Sequence, residues 1–362
     1  MKVSNRFLYY DLVKNLERVT ERLLRLNNQI SSGKRIHRPS EDPMGMASVL
    51  IYRTELNAFE QFEKSIDLSR GWLSRMNAIL LDTDNLLGRA IELATQQASA
   101  TATADTREGA AEEIEEIKNM ILGYANSKYG NKYMFGGTRT QTAPFLNVNA
   151  SCWEDNVLTI ASSPPGSPST GDRYIDSDDD HIYEYDGSSW QDLGSPEDGT
   201  AVIVEDQNEL YVYNNSSWIS QYQGNASAFS IKIGKTDTVE TSIPGNTLFR
   251  SPYGDVFLTL LRLEKALRDN DQEGIQQELS AIQDSEQILL NNLATIGARV
   301  NRLDHTKSVL QKSDVDTKER MSLIEDLDYA EAITSLENQQ TIYQAALKSA
   351  SMITQLSLVD YV

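Results

Sequence analysis

Residues 9–30 read YYDLVKNLERVTERLLRLNNQI, and this stretch decides how the ends of the chain fold. Its apolar residues recur at intervals of three and four; they are Tyr9, Leu12, Leu16, Val19, Leu23, Leu26 and Ile30. This spacing keeps one apolar seam facing a partner helix along its whole length. We therefore predict a coiled-coil helix that ends at Gly33, before a loop bracketed by Pro39 and Pro43.

A matching seam lies at the other end of the chain. It consists of Ile333, Leu336, Tyr343, Leu347 and Ala350, with Gln340 in register. Residues 1–40 carry nine Lys and Arg against three Asp and Glu, whereas residues 325–362 carry one Lys and six acids. Opposite charge and similar seams indicate that the two arms pair. Because one such helix alone buries little surface, we expect both arms to be disordered in the monomer and to fold on assembly.

Two more helical segments connect the arms to a β-rich middle. In residues 45–135 an apolar stripe runs from Phe59 to Ala94, and Asp105 with Glu108 predicts the start of a third helix that ends at Gly130. In residues 251–324 a stripe from Ile275 to Leu310 predicts a single helix of up to about fifty residues. The predicted fold class is mainly α with an inserted β domain: a rod of long antiparallel helices, terminal coiled-coil arms (1–44 and 325–362) and a β-rich tip domain (136–250).

The tip domain contains an internal repeat. Residues 171–190 read GDRYIDSDDDHIYEYDGSSW, and residues 199–218 read GTAVIVEDQNELYVYNNSSW, with a constant offset of 28. We predict that each unit is a β-hairpin with an acidic turn, at 177–180 or 206–208, and a second turn that presents a tryptophan. The preferred interpretation is that the aromatic residues form the core of a small sheet. The alternative is a surface that stacks on sugar rings, formed by Tyr185, Trp190, Tyr213 and Trp218.

Composition and motifs argue against nucleic-acid binding, a membrane span, metal binding and catalysis. A net charge of −20 disfavours nucleic-acid binding, and no apolar run is long enough to span a membrane. The single cysteine, Cys152, permits no intramolecular disulfide. Asp176, Asp178 and Asp180 are spaced as in a calcium loop, but the required glycine and distal glutamate are missing. We find no catalytic motif, and predict no enzyme activity, no metal and no cofactor.

Four segments together resemble the bacterial flagellin superfamily. They are ISSGKRIHRPSEDPMGMA at 30–47, NKYMFGGTRTQTAPF at 131–145, YQGNASAFSIKIGKTDTVETSIPGNTLF at 222–249, and the last 37 residues from DLDYAEAITSLENQQ onward. The PSEDP sequence at 39–43 is similar to the hook–filament junction branch, hook-associated protein 3, rather than to filament flagellin. The chain departs from the family at His37, where Asn is usual, and in the repeat region.

The resemblance implies a structural role. A subunit of this branch would form a ring between the first hook-associated protein and flagellin, with its arms in an inner helical tube and its β domain outward. A cytoplasmic export chaperone would bind the C-terminal arm. The N-terminus lacks a cleavable signal peptide, which alone favours a cytoplasmic protein; the resemblance instead implies an extracellular one, exported by the flagellar type III system. The alternatives are filament flagellin and a surface adhesin that displays residues 171–218 for glycan binding.

Overall fold

Long helices make up most of the chain. The computed structural model describes residues 2–147, 153–207, 209–251 and 254–359. Its helices are α1 (Lys2–Ser32), α2 (Pro43–Gln97), α3 (Ala104–Ala125), α4 (Gly245–Leu248), α5 (Val256–Arg268), α6 (Gln272–Glu325) and α7 (Tyr329–Val359). All described strands lie between α3 and α5. The fold is therefore mainly α with a β domain inserted between sequence-distant helices, as predicted.

The chain forms two compact units. The terminal unit consists of Met1–Glu63 and Lys307–Val362, and the central unit consists of Lys64–Thr306. Both α2 and α6 contribute residues to each unit.

In the central unit, α2 and α6 each bury one stripe of side chains. Of the predicted α2 stripe, Phe59 and Phe62 are half-buried, and the residues from Ile66 onward are buried: Ile66, Leu73, Met76, Leu80, Leu87 and Ala94. Ser69 and Thr83 lie in register with this stripe, and each hydroxyl donates to the carbonyl four residues earlier. Because these bonds satisfy the hydroxyls within the helix, the polar residues are tolerated in the core.

The start and end of α3 differ from the prediction. Thr103 caps the helix, and it exchanges hydrogen bonds with Thr106: the N–H of each residue donates to the hydroxyl of the other. The predicted pair Asp105 and Glu108 was wrong, because the threonine hydroxyls satisfy the free N–H groups two residues earlier. The helix ends at Ala125, and Gly130 instead lies at the turn between two short strands, β1 (Lys128–Tyr129) and β2 (Lys132–Tyr133), with φ of 60°.

A buried ion pair joins α3 to α5. Lys118 Nζ lies 2.8 Å from Glu264 Oε2, and both side chains are about 5% exposed or less. Arg268 also contacts Glu264, at 3.1 Å. A buried charge is tolerated only when a partner of opposite charge and hydrogen bonds replace its hydration. The pair therefore specifies how α3 and α5 pack against each other.

We predict that Lys118→Ala lowers the free energy of unfolding by about 3 kcal/mol, because it leaves the Glu264 carboxylate buried with Arg268 as its one remaining cation. Urea denaturation would measure the loss. A Lys118→Met, Glu264→Met double variant should recover most of it. Arg89→Ala, which breaks the exposed pair between Arg89 and Glu113, is the control and should have little effect. A similar loss of unfolding free energy in Lys118→Ala and in Arg89→Ala would contradict the prediction.

Seven strands form one sheet around a central strand that precedes the repeat. The strands are β3 (Trp153–Ala161), β4 (Arg173–Asp176), β5 (Ile182–Tyr185), β6 (Trp190–Asp192), β7 (Ala201–Val204), β8 (Glu209–Asn214) and β9 (Ser217–Ser220). Their order is β6-β5-β4-β3-β7-β8-β9, and β3 is parallel to both β4 and β7. Each repeat unit is thus a three-stranded antiparallel meander. The predicted hairpins were too short, because a third strand that contains the tryptophan follows the second turn.

The two repeat units flank β3, and equivalent residues face opposite sides of the sheet. Ile203 and Leu210 of the second unit pack on Leu258 and Leu261 of α5. The equivalent residues of the first unit, Ile175 and Ile182, lie in a different cluster with Val157, Val202, Val204, Tyr213 and Trp218. The reason is geometric: placing one meander on either side of a shared parallel strand turns one copy over relative to the other.

Four more short strands, in two antiparallel pairs, complete the described β structure. β10 (Ser230–Lys232) pairs with β11 (Thr238–Glu240), and β12 (Arg250–Ser251) pairs with β13 (Gly254–Asp255). Asp255 then caps α5, since its carboxylate accepts from the N–H groups of Phe257 and Leu258. This cap sets where the chain returns from β structure to helix.

Candidate functional site: the paired ends of the chain

The candidate site is formed by α1 and α7, which pack against one another. Leu12, Leu16, Val19, Leu23, Leu26 and Ile30, the predicted seam of the N-terminal arm, are all half-buried. In this structure both arms are therefore helical and lie side by side. The expectation that they are disordered in the free monomer stays a prediction.

The packed stripe of α7 is displaced from the predicted one. Ala332 is buried, and Leu336, Gln339, Tyr343, Ala346 and Ala350 are half-buried. Ile333 and Leu347 are instead 47% and 44% exposed, so they lie beside the α1–α7 contact, and their place in the assembly seam stays a prediction. Three alanines form much of the true stripe because small side chains allow two helices to approach closely. The predicted seam included Ala350 but omitted Ala332 and Ala346, and it had Gln340 rather than Gln339 in register.

At their base, the two arms are joined through backbone hydrogen bonds. The N–H of Arg35 donates to the carbonyl of Glu325 at 2.7 Å, and the N–H of Leu327 donates to the carbonyl of Gly33 at 2.9 Å. The Arg35 guanidinium also donates to the carbonyl of Ile324, at 2.8 Å. Gly33 has φ of 70°, and a Cβ there would lie 2.7 Å from the hydroxyl of Tyr329. The loop after α1 and the break between α6 and α7 are therefore one structure.

The Glu325 carboxylate connects this loop to α2. One of its oxygens, Oε1, accepts from Lys34 Nζ and from Arg53 Nη2, both at 2.5 Å. The carboxylate is 5% exposed, whereas the two cations are partly exposed. Glu325 thus joins three segments of the terminal unit through one buried acid.

The two acids of the PSEDP sequence organise the loop. Glu41 accepts from the N–H groups of His37 and Arg38, and Asp42 accepts from the N–H of Gly45 at the start of α2. Burial acts to raise the pKa of Glu41, but these two N–H donors and the nearby Arg25 charge lower it below its usual value. Hydrogen bonds from Gly45 and Arg35 lower the pKa of Asp42. Both acids are therefore bound in their charged form.

We predict that Glu325→Ala lowers the free energy of unfolding by about 1.5–3 kcal/mol, the usual range for hydrogen bonds to a charged group. The variant leaves Lys34 and Arg53 without their shared acceptor. Chemical denaturation of the full chain would measure the change. Glu319→Ala, an exposed acid on the same helix, is the control and should match the wild type. Equal stability of the two variants would show that the Glu325 contacts contribute nothing.

The pairing of the arms leaves large apolar side chains uncovered. Most of the exposed large apolar residues that the structure describes belong to the terminal unit, although it is the smaller of the two. On α1 and α7 they are Phe7, Tyr10, Leu24, Tyr329, Ile333, Ile342, Leu347 and Met352. Ile333 and Leu347 flank the packed stripe on one side and Ile342 on the other. The apolar arc of α7 is thus wider than the face that α1 covers.

The aromatic residues of the repeat are divided between core and surface. Trp218 and Tyr213 are 9% and 6% exposed, and Trp218 Nε1 donates to the carbonyl of Asp180 at 2.9 Å. Trp190 and Tyr185, the equivalent residues of the first unit, are partly exposed and pack together with ring centroids 5.3 Å apart. The aromatic residues Tyr213 and Trp218 of the second unit are therefore core residues. Of the two units, only the first has Tyr185 and Trp190 in a position to bind a ligand at the surface.

We expect Trp218→Ala to lower the free energy of unfolding by about 3–5 kcal/mol, because it opens a cavity and removes the bond to Asp180. Trp190→Ala, the matched substitution in the first unit, should cost distinctly less because this ring is partly exposed. Urea denaturation followed by far-UV circular dichroism compares them. An equal loss of unfolding free energy in the two variants would show that Trp218 and Trp190 do not differ in burial as described.

The acidic turn of the first unit is occupied by local bonds. Asp176 accepts from the N–H of Asp178, and Asp179 accepts from the N–H of His181 and from the Tyr183 hydroxyl. Across the parts of the chain that the structure describes, no group of three or more potential metal ligands comes together. In the same regions no helix is long and apolar enough to cross a membrane.

Comparison with known proteins identifies the class. Residues 3–140 match the model of the bacterial flagellin N-terminal helical region, and residues 279–362 match that of the C-terminal helical region. Together the matches cover more than half of the chain, and they include both paired arms. The chain therefore belongs to the bacterial flagellin family, and it is a structural protein of the flagellum.

Within that family, the chain is similar to hook-associated proteins. The chain is 20% identical to flagellar hook-associated protein 3 of Escherichia coli, over 99% of this chain and 98% of that protein. It is 24% identical to flagellar hook-associated protein 3 of Salmonella typhimurium over 40% of this chain and 46% of that protein. The solved structure of a flagellar hook-associated protein from Vibrio parahaemolyticus shares the fold, with a TM-score of 0.55 at 16% identity over 79% of this chain and 99% of that one.

Proposed function

We propose that this protein is the subunit of the ring that joins the hook to the flagellin filament. The observation that carries the proposal is the uncovered apolar arc of α7, at the paired ends that match the flagellin family. Soluble monomers rarely expose an apolar surface of this kind unless a partner covers it. Copies of the same chain, the first hook-associated protein and flagellin are the proposed partners, and the arms are proposed to form the inner tube.

The extent of similarity supports the junction role over the filament role. The match to hook-associated protein 3 runs the full length, whereas a match to flagellin of Clostridium tyrobutyricum covers 49% of this chain and 47% of that protein at 20% identity. The PSEDP sequence, whose two acids accept from backbone N–H groups, also resembles the junction branch. We infer a structural subunit rather than an enzyme.

Export follows from the proposed role. The subunit would leave the cell through the flagellar type III channel without a cleaved signal peptide and would act outside the cell. We propose that an export chaperone binds the C-terminal arm first. Its ligand would be the wide apolar arc of α7, since an amphipathic helix can lie in the groove of a helical partner. The partner arm α1 does not cover Ile333, Ile342 or Leu347, so these residues are available to a chaperone.

We predict that Leu347→Lys abolishes filament attachment because it places a charge in the assembly surface. In a deletion strain complemented with this variant, electron microscopy should show finished hooks without filaments, and flagellin should accumulate in the medium. Thr341→Lys, an exposed substitution on the opposite side of α7, should restore normal filaments. Both variants must be secreted and folded for the comparison to count.

Two other outcomes would redirect the proposal. Normal filaments with Leu347→Lys would refute a role of this surface in assembly. Missing filaments without shed flagellin in the deletion strain would instead indicate that the protein is filament flagellin itself.

We also predict that the arms fold on assembly. In the isolated subunit, backbone amides of α1 and α7 should exchange with deuterium within seconds, because the arms bury few side chains completely. Amides of α2 between Ile66 and Ala94, whose stripe is fully buried, should be protected and serve as the internal reference. Equal protection of the arms and this reference would show that the arms are already stable in the monomer.

A further inference from the structure

The first repeat unit presents a cluster of aromatic rings on one face of the sheet. Ile175 and Ile182 point into the core cluster, so the alternate residues on the same strands point to the other face. These are Tyr174 on β4, with Tyr183 and Tyr185 on β5, and the neighbouring strand β6 adds Trp190 opposite Tyr185. We call these four residues the aromatic face.

The rings of the aromatic face pack on one another. Tyr174 stacks on Tyr183 with ring centroids 5.2 Å apart and an angle of 26°, and its edge meets Trp190 at 4.8 Å. Tyr174 is buried at 4% exposure, while Tyr183, Tyr185 and Trp190 remain partly exposed. The outer three rings are therefore an ordered π surface that borders solvent.

Carboxylates surround this surface. Asp192 lies directly opposite Tyr183 on β6, and Asp179 accepts a 2.9 Å hydrogen bond from the Tyr183 hydroxyl. Burial raises the pKa of Tyr174, and the negative charges of Asp176, Asp179 and Asp192 raise it further. These acids therefore produce a negative electrostatic potential around the rings.

Little positive charge offsets these acids. Residues 171–220 contain thirteen Asp and Glu and one Arg. That residue, Arg173, pairs with Glu184, and Arg250, from outside this stretch, pairs with Glu209 of the second unit. Since Arg173 and Glu184 alternate with Tyr174 and Tyr183 along their strands, this pair lies on the opposite side of the sheet. Within the described part of the first repeat unit, His181 is the one other basic side chain, and it contacts Asp192 at 3.0 Å.

We propose that the aromatic face binds cationic groups, namely the ammonium or guanidinium groups of a Lys- or Arg-rich protein segment. Aromatic rings attract a cation through their π electrons, and the surrounding carboxylates add attraction of the same sign. Charge complementarity selects this occupant over a neutral glycan, which gains nothing from an excess of negative charge. The inference does not depend on the junction role.

The second repeat unit provides an internal comparison. Its equivalents of Tyr174, Tyr183, Tyr185 and Trp190 are Val202, Tyr211, Tyr213 and Trp218, which belong to or pack against the core cluster. The second copy therefore uses these residues in its core, whereas the first copy buries Tyr174 and leaves the other three partly exposed. Binding is expected at the first unit alone.

The test is calorimetric titration of the full chain with a hexalysine peptide at pH 8 and low salt. We expect binding that weakens with added salt. Asp176→Asn with Asp192→Asn should weaken it about tenfold, and Trp190→Leu, which keeps apolar bulk but removes the π face, should weaken it several-fold. Glu197→Gln with Glu205→Gln changes the net charge equally at exposed acids of the region and should leave the affinity within about twofold of wild type.

Three results would overturn the proposal. Equal weakening by the two double variants would mean that hexalysine senses only the overall negative charge. Unchanged affinity of Trp190→Leu, with a wild-type far-UV spectrum, would remove the rings from the site. Binding of a neutral oligosaccharide in the absence of hexalysine binding would identify a glycan surface instead.

Discussion

The packing of α1 on α7 is the contact on which the terminal unit depends. It brings the two ends of the chain together. The terminal unit fixes that arrangement at one place, where Glu325 accepts from Lys34 and Arg53 and the backbone of Arg35 and Leu327 crosses between the two segments. Because a buried carboxylate needs its partners, the loop after α1 and the break before α7 are ordered together.

The same contact relates stability to assembly. The stripe of α7 that packs on α1 is rich in alanine, while larger apolar residues such as Ile333 and Leu347 lie beside it. Small residues bury little area each, so the pair alone is weakly stabilised. Such a partly uncovered apolar surface suits the proposed role, in which neighbouring subunits bury the arms on assembly.

The repeat shows how one sequence acquires two environments. Its copies lie on either side of β3, and the parallel pairing of β3 with both copies turns one over relative to the other. Ile203 and Leu210 therefore pack on α5, whereas Ile175 and Ile182 pack into the cluster that contains Trp218. The aromatic residues of the first copy consequently lie on the same side of the sheet as Ile203 and Leu210, where Tyr183, Tyr185 and Trp190 remain partly exposed.

Periodicity was sufficient to predict the long helices. Stripes such as Ile66–Ala94 depend on apolar residues within one helix, and the 3-4 spacing reveals them without knowledge of the partner. Hydroxyls at Ser69 and Thr83 did not disturb the pattern because they bond within the helix. Motifs around Gly33 and in the C-terminal arm were similarly sufficient to identify the flagellin family.

The sequence by itself thus determined the helical ends, the inserted β region and the family, since each is written in local spacing or in contiguous motifs. Only the tertiary structure decided which face of α7 meets α1, that β3 stands between the repeat copies, and that Trp218 is buried while Trp190 is not. Those outcomes depend on how closely two helices approach and on which side of a strand a segment pairs. Both are properties of contacts between distant residues, and spacing along the chain does not contain them.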